Sequence, residues 1–307
     1  MKQHILIFGA GGLVGGGVSR HLSAKGHIVR GVTRSAESAD RLKAASIGPI
    51  IGDLENGLND LAAAAKDADA IIYATQLHPD AERRAVSVLL DAIAGTNKRF
   101  IFTSGTGVFL QRTGGAWSQD SFSEEDVFTP EPLAARRIEV EALVRAAPKR
   151  EIHGIVIRPP LIWGPADHGH VVMTYRSVAA TGAACYVGEG LASYSNVHIE
   201  DIARLYALAV ERGEAGALYH GVGGEIPNRW IAEAVARDLG CEARSVSPEE
   251  ANDVWGEFGA LIMASSSRSR SPRARDELGW TAERTDMLAM IGEPRLRALA
   301  ESAPPPN

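Results

Sequence analysis

The chain has 307 residues, of which 45% are hydrophobic and 23% charged, and a formal net charge of −6. This length suits one large α/β domain with a smaller appended region. The acidic balance argues against a nucleic-acid partner, because phosphate binding needs a positive surface. No apolar run approaches the roughly 20 residues that cross a bilayer, and no signal-peptide cleavage region follows the N-terminus, so we expect a cytoplasmic protein. The two cysteines, Cys185 and Cys241, match no metal-ligand spacing, and we predict no metal site.

The first half of the chain predicts strands that alternate with helices. Strands are expected at His4–Phe8, Ile28–Thr33, Pro49–Ile51, Ala70–Ala74, Arg99–Ser104 and Ile152–Ile157. Helices are expected after the first strand up to about Lys25, and at Leu58–Lys66, Ala81–Ala94 and Leu133–Ala147. Such alternation implies βαβ units with right-handed crossovers. The sequence therefore predicts an α/β fold with a doubly wound parallel sheet, a Rossmann fold.

The second half predicts a smaller, mixed region. The stretch Gly105–Pro132 has no clear periodicity, and a loop of that length inside a domain is usually functional or mobile. Beyond it, helices are expected at Ile202–Glu211 and Asn228–Leu239, and a strand at Ala217–Gly221. We predict a dinucleotide-binding domain over residues 1–160 and a mainly substrate-binding region over 161–300, with some segments returning to the sheet. Residues 301–307 are expected to be a disordered tail.

A glycine-rich loop between the first strand and the first helix carries the strongest signal. Gly9, Gly12 and Gly15 are spaced as G-x-x-G-x-x-G. A side chain at Gly9 would obstruct a tight turn, one at Gly12 would hold the backbone away from a pyrophosphate, and Gly15 lets the helix pack closely on the strand. The backbone N–H groups at the helix start, at Leu13 and Val14, then face the anion. The loop predicts a dinucleotide site.

The end of the second strand indicates which dinucleotide binds. An NAD site usually places an acidic residue there, whereas this strand ends in Thr33 followed by Arg34. A 2′-phosphate needs a cationic fork and does not tolerate a carboxylate, so the sequence favours NADP(H). After the third strand, Asp53 is placed to accept a hydrogen bond from the adenine amino group, next to Leu54.

Several segments together resemble the extended and atypical short-chain dehydrogenase/reductases, in the branch related to sugar-nucleotide epimerases. They are Gly52-Asp53-Leu54, Phe100-Ile101-Phe102-Thr103-Ser104, Arg158-Pro159-Pro160-Leu161-Ile162-Trp163-Gly164-Pro165, Val197-His198-Ile199-Glu200-Asp201-Ile202-Ala203 and Glu277-Leu278-Gly279-Trp280. The resemblance covers nearly the whole chain and implies a small-molecule substrate, with Ser104 as the active-site serine. It also implies that the Arg158–Pro165 segment passes beside the nicotinamide, and adds cofactor contacts at Ala74, Thr75, Thr103 and Pro160.

The chain departs from the family pattern on the helix after the long loop. The family carries Tyr-x-x-x-Lys there, in which the tyrosine is the general acid or base and the lysine lowers its pKa and holds the ribose. Aligning Glu141 with the family's downstream glutamate places Leu133 at the tyrosine and Arg137 at the lysine, and no tyrosine lies between Tyr73 and Tyr175. Leucine cannot transfer a proton. Arg137 is able to hold the ribose hydroxyls, but it is no acid or base near neutral pH.

Three interpretations therefore remain open. The preferred one is an NADP(H)-dependent oxidoreductase that reduces a carbonyl-like group, with Ser104, Arg137 and an acid from the second half, for which Tyr175, His168 and His170 are the candidates. The second is an inert NADP(H)-binding sensor, which the missing tyrosine favours. The third is a sugar-nucleotide epimerase or dehydratase, which needs a competent base and commonly retains NAD.

Two further expectations concern the ligand and the assembly. A small, fairly apolar ligand is suggested by Phe109, Trp117, Trp163, Met173 and Tyr175. The alanine-rich stretches Ala81–Ala94 and Leu133–Ala147 would suit the paired helices of a homodimer, or equally helices that cover their own sheet.

Overall fold

The computed structural model describes residues 2–166 and 168–301. The strands are β1 (His4–Phe8), β2 (Ile28–Thr33), β3 (Gly48–Ile51), β4 (Ala70–Tyr73), β5 (Arg99–Thr103), β6 (His153–Arg158), β7 (Leu161–Trp163), β8 (Ala183–Val187), β9 (Ser193–His198), β10 (Leu218–His220), β11 (Gly224–Pro227) and β12 (Glu242–Val246). The helices are α1 (Leu13–Ala24), α2 (Ala36–Ala44), α3 (Leu58–Lys66), α4 (Pro79–Ala92), α5 (Ala135–Arg145), α6 (His170–Thr181), α7 (Ile199–Arg212), α8 (Asn228–Leu239), α9 (Glu250–Met263), α10 (Pro272–Leu278) and α11 (Pro294–Glu301). Of the tail predicted at 301–307, all but Glu301 lies outside the described residues.

A parallel sheet in the order β10-β6-β5-β4-β1-β2-β3 forms the centre of the described chain. Alternate side chains of β1 point to opposite faces, as the two-residue period of a strand requires. Ile5 and Ile7 pack with residues of α1 and α7, while Leu6 and Phe8 pack with residues of α3, α4 and α5. Helices thus cover both faces, and the predicted doubly wound Rossmann fold is confirmed.

The strand order reverses between β1 and β4, since the chain first adds β2 and β3 on one side and then crosses to the other. At such a switch point the loops leave in opposite directions and open a crevice at the carboxyl ends of the strands. Within this crevice the loop between β1 and α1 lies beside the end of β4.

The second half forms a smaller layer next to that crevice. It contains a three-stranded sheet in the order β11-β9-β7 and a two-stranded sheet of β12 and β8. Some of its segments return to the first half, because β10 pairs with β6 and α7 packs against α1. The domain boundary at residue 160 stays a prediction.

The long loop at residues 105–132 is a packed part of the structure. The rings of Phe109, Phe122 and Phe128 cluster with centroids 5.1–5.7 Å apart. The backbone N–H of Phe122 donates to the carbonyl of Arg268 at 3.0 Å. No helix in residues 2–166 or 168–301 combines the length and apolar character needed to span a bilayer.

Candidate functional site

The turn after β1 depends on two of its glycines for steric reasons. Gly9 has φ +78°, and a Cβ there would lie 2.4 Å from the carbonyl oxygen of Ala74 at the end of β4. A Cβ at Gly15 would lie 2.2 Å from the carbonyl oxygen of Gly9. Both neighbours are backbone atoms that cannot yield, so larger residues would push the loop away from the sheet.

Gly12 differs from them because the space around it is open. It has φ −85° and ψ 179°, and the nearest protein atom to an added Cβ is Gly9 O at 3.3 Å. It is the N-cap of α1, and no side chain caps this helix end. First-turn amides have no acceptor within their own helix, so those of Leu13 and Val14 are available to an anion. This exposed amide cradle fits a pyrophosphate.

A cleft of about 490 Å³ extends from this cradle across the ends of β2, β3 and β4. Its lining includes the predicted cofactor residues Gly9, Gly12, Thr33, Arg34, Asp53, Leu54, Ala74 and Thr75. Thr33 is buried, whereas Arg34 is exposed, and within the described residues its guanidinium makes no hydrogen bond or ion pair. The cation therefore remains available to a ligand.

Asp53 carries a fixed negative charge in the same cleft. Its carboxylate accepts hydrogen bonds from the backbone N–H of Glu55 at 2.9 Å and from the side chain of Asn56 at 2.8 Å. These bonds lower the pKa of Asp53 from its usual value. The group is thus an ionised acceptor held in a fixed orientation.

A second cleft, of about 520 Å³, continues from the other side of the glycine loop. It is lined by Leu13, Val14, Ala74, Gln76, Thr103, Ser104, Pro160, His168, Tyr194 and Phe258, among others. Ser104 follows β5 directly, and its backbone N–H donates to the carbonyl of Ile157 at 2.8 Å. Its side-chain hydroxyl is buried and has no partner among the described residues.

Arg137 belongs to a partly buried ion pair and lines neither cleft. Its guanidinium donates to the carboxylate of Glu82 on α4 at 2.8 Å and to the carbonyl of Thr103 at 3.4 Å, and lies 5.5 Å from the ring centroid of Phe102. Burial raises the pKa of Glu82, and the charge of Arg137 opposes that shift. The structure therefore places Arg137, predicted to hold the cofactor and to act in catalysis, outside both clefts, where its charge neutralises that of Glu82.

Tyr175, predicted to be a catalytic residue, also lies away from both clefts. It is fully buried in the core between α6, α8 and α11, where its hydroxyl donates to Asp238 at 2.6 Å and accepts from the backbone N–H of Gly292 at 2.9 Å. Burial, together with the Asp238 bond, raises the pKa of Tyr175 to about 12. The structure therefore places Tyr175 outside both clefts, apart from Ser104.

The two histidines proposed beside Tyr175 have different surroundings. His168 is exposed and lines the second cleft together with Ser104. His170 is buried, its ring centroid 4.8 Å from that of Tyr194, and burial lowers its pKa to about 4. The described residues hold no group of three or more His, Cys, Asp or Glu side chains suited to a metal ion.

Leu133, at the position of the family's tyrosine, is 68% exposed and lines a groove of about 650 Å³ rather than the second cleft. This groove adjoins the second cleft through Phe258, which lines both and is 71% exposed. None of the apolar residues suggested from the sequence lines these two spaces: Phe109, Trp163, Met173 and Tyr175 pack internally, and Trp117 lies against Arg268.

Sequence reasoning missed Tyr194 and Phe258, which lie in segments left unassigned. Tyr194 is on β9, just before the Val197–Ala203 segment, in a run of small polar residues where an aromatic side chain stands out. That isolation was the available signal. Phe258 gave none, because its place depends on how α9 packs.

The geometry agrees with a comparison to known proteins. The model of the NAD dependent epimerase/dehydratase family matches residues 5–221. This range includes the glycine-rich loop between the two clefts and the ends of β1 to β6. The chain therefore belongs to the NAD-dependent epimerase/dehydratase family, and the predicted family is confirmed.

Individual relatives extend over most of the chain. An uncharacterised protein of Schizosaccharomyces pombe is 29% identical over 295 residues, 93% of this chain and 97% of that protein. A 2-alkyl-3-oxoalkanoate reductase of Stenotrophomonas maltophilia is 28% identical over 226 residues, 69% of this chain and 67% of the enzyme. The crystal structure of the dTDP-glucose 4,6-dehydratase DesIV from Streptomyces venezuelae, with NAD and TYD bound, has a TM-score of 0.76 at 20% identity over 96% of this chain and 97% of that one. At that identity the match shows a shared fold.

Proposed function

We propose that this protein is an NADP(H)-dependent oxidoreductase that reduces the carbonyl group of a small, largely apolar molecule. The observation that carries the proposal is the exposed Arg34 guanidinium at the end of β2, in the cleft that opens onto the amide cradle of α1. Thr33 takes the place of an acidic residue, so no carboxylate at that strand end opposes a 2′-phosphate.

The remaining residues of the crevice suit the other parts of the same cofactor. The open backbone at Gly12 and the amides of Leu13 and Val14 would hold the pyrophosphate. Asp53 would accept from the adenine amino group beside Leu54. The nicotinamide would extend into the second cleft, along Ala74, Thr103 and Pro160 towards Ser104. When bound, NADPH supplies a hydride for the reduction of a carbonyl carbon.

The apolar character of the second cleft and its neighbouring groove supports the substrate class. Leu13, Ile162 and Phe258 line the cleft, and Leu133 and Leu261 line the groove. Apolar walls with a few polar groups are typical of sites for small organic ligands. The similarity to a 2-alkyl-3-oxoalkanoate reductase points in the same direction.

Cofactor choice is tested by calorimetric titration of the wild type and Arg34→Ala with NADPH and with NADH. A hydrogen bond to a charged group contributes about 1.5–3 kcal/mol, so the variant should bind NADPH about 10- to 150-fold more weakly and NADH unchanged. Arg30→Ala is the matched control, since Arg30 is an exposed arginine on β2, the strand that Arg34 follows, and lies outside the cleft. Equal affinities of the wild type for NADPH and NADH would refute the NADP(H) assignment.

Turnover is tested by following NADPH oxidation across aldehydes, ketones and imines of increasing alkyl length. A competing function is a binding-only NADP(H) sensor. It is favoured by Leu133, which stands where the family has the tyrosine that donates the proton. NADPH binding without oxidation by any carbonyl compound would favour that sensor over the reductase.

A further inference from the structure

Two residues that line the second cleft, Ser104 and Tyr194, each carry a buried hydroxyl group with no partner among the described residues. Other hydroxyl groups of the same wall are bonded, since Thr103 Oγ1 accepts from Tyr206 at 2.7 Å and Thr106 Oγ1 from Ser267 at 3.2 Å. Leaving a buried hydroxyl unbonded destabilises a protein, and functional sites are a common place for that cost. Each of the two unbonded hydroxyl groups is therefore a candidate partner for a ligand in this cleft.

Both hydroxyl groups stand on firmly held backbone. Ser104 follows β5 and is tied to β6 through Ile157. Tyr194 lies on β9, pairs with Ile226 of β11 and bridges to Ser267 on its other side. Its side chain is 7% exposed and its ring packs against His170. A preorganised pair of donors of this kind needs little rearrangement during a reaction.

We infer that Tyr194 is the proton donor of this protein, replacing the tyrosine that Leu133 displaces from the catalytic helix, and that Tyr194 and Ser104 together hold the substrate carbonyl oxygen. A carbonyl oxygen has two lone pairs and accepts from two hydroxyl groups. The inference rests on the proposed reductase function. His168 is the competing donor in the same cleft, but it is exposed and its position is not fixed by a sheet.

The reaction balances with NADPH as the reductant. The hydride forms the new C–H bond at the carbonyl carbon, and NADPH is oxidised to NADP⁺. As the C=O π bond breaks, Tyr194 Oη gives its proton to the carbonyl oxygen, which becomes the alcohol. Water then returns a proton to the tyrosinate. Burial raises the pKa of Tyr194, and the charge of Glu131 adds to the shift, so the tyrosine is protonated near neutral pH.

The test compares Tyr194→Phe with Tyr175→Phe. Tyr194→Phe removes an unbonded hydroxyl but keeps the ring against His170, so we expect unchanged NADPH affinity, a melting temperature equal to or above that of the wild type, and carbonyl reduction slowed about 100-fold or more. Tyr175→Phe removes a hydroxyl with two bonds outside the clefts, so we expect a lower melting temperature and unchanged turnover. Two results for Tyr194→Phe would overturn the inference: a melting temperature as low as that of Tyr175→Phe, or carbonyl reduction at the wild-type rate.

A measurement without turnover separates this inference from the proposed function. Infrared spectra of acetophenone, isotopically labelled at its carbonyl carbon, are recorded with the wild type and Tyr194→Phe in the presence of NADP⁺, which cannot reduce it. Hydrogen bonding lowers the carbonyl stretching frequency, so the wild type should lower it and Tyr194→Phe should lose part of that shift. Equal frequencies in the two proteins overturn the assignment of Tyr194, whatever the outcome of the activity screen. Alternatively, the wild type shows the Tyr194-dependent shift while none of the carbonyl compounds supports NADPH oxidation. That result would refute the proposed reductase activity and leave the assignment of Tyr194 standing.

Discussion

Replacing Gly12 by alanine should weaken cofactor binding while leaving the fold intact. The backbone of Gly12, at φ −85° and ψ 179°, is accessible to alanine, and the added Cβ meets only Gly9 O, at 3.3 Å. A contact of that length requires a shift of a few tenths of an ångström. Alanine also lowers the entropy of the unfolded chain. This stabilises the folded protein by about 0.4–1 kcal/mol where the native backbone conformation is compatible with alanine. We therefore expect the free energy of unfolding to change little.

The effect on binding follows from the same open space. If the pyrophosphate approaches the backbone at Gly12, a methyl group there holds it away from the first-turn amides of α1. Loss of one hydrogen bond to a charged group costs about 1.5–3 kcal/mol, which corresponds to about 10- to 150-fold weaker binding. The decrease should be equal for NADPH and NADH, because both carry the pyrophosphate.

The assay is calorimetric titration of both dinucleotides, with thermal unfolding of each variant. Gly48→Ala is the matched control, since Gly48 lies on β3 outside the cleft and its nearest neighbour to an added Cβ is Arg30 Cγ at 3.5 Å. Wild-type affinity of Gly12→Ala for NADPH would refute the placement of the pyrophosphate. A large fall in its melting temperature would instead show that the space around Gly12 is not open.

Two further predictions concern buried charges. Arg137→Met should lower the free energy of unfolding by about 3 kcal/mol in urea titrations, because it leaves the Glu82 carboxylate buried without its counter-ion. Adding Glu82→Gln should restore most of that stability. No recovery in the double variant would contradict the ion-pair assignment. Burial lowers the pKa of His170 to about 4, below its value near 6.5 in the unfolded chain. As the pH falls, the unfolded state therefore takes up the proton first. The free energy of unfolding then decreases as the pH drops from about 6.5 towards 4. His170→Met, of similar volume, should reduce the stability lost between pH 7 and 5 by about 2 kcal/mol, and an unchanged pH dependence would exclude His170 as its source.

The sequence predicted the strands of the large sheet and most of its helices, because buried parallel strands read as short apolar runs and longer helices show their period. It missed α2, where only Ala39 and Leu42 are buried. Two apolar positions in nine residues are too few to establish a helical period. Most elements between residues 161 and 300 were also missed, and among them short strands such as β7 and β11 give no distinct pattern.

The residues proposed to bind the cofactor could be proposed from the sequence because their determinants are local. A turn that tolerates no side chain at Gly9, and an arginine one residue past a strand, are properties of neighbouring residues in the chain. The residues proposed for catalysis depend on contacts between distant segments. Arg137 is directed to Glu82, 55 positions away, and only the packing of α6 and β9 decides that Tyr175 enters a core while Tyr194 reaches the cleft. The sequence has a tyrosine at both positions, and their burial and hydrogen bonding differ only in the folded protein.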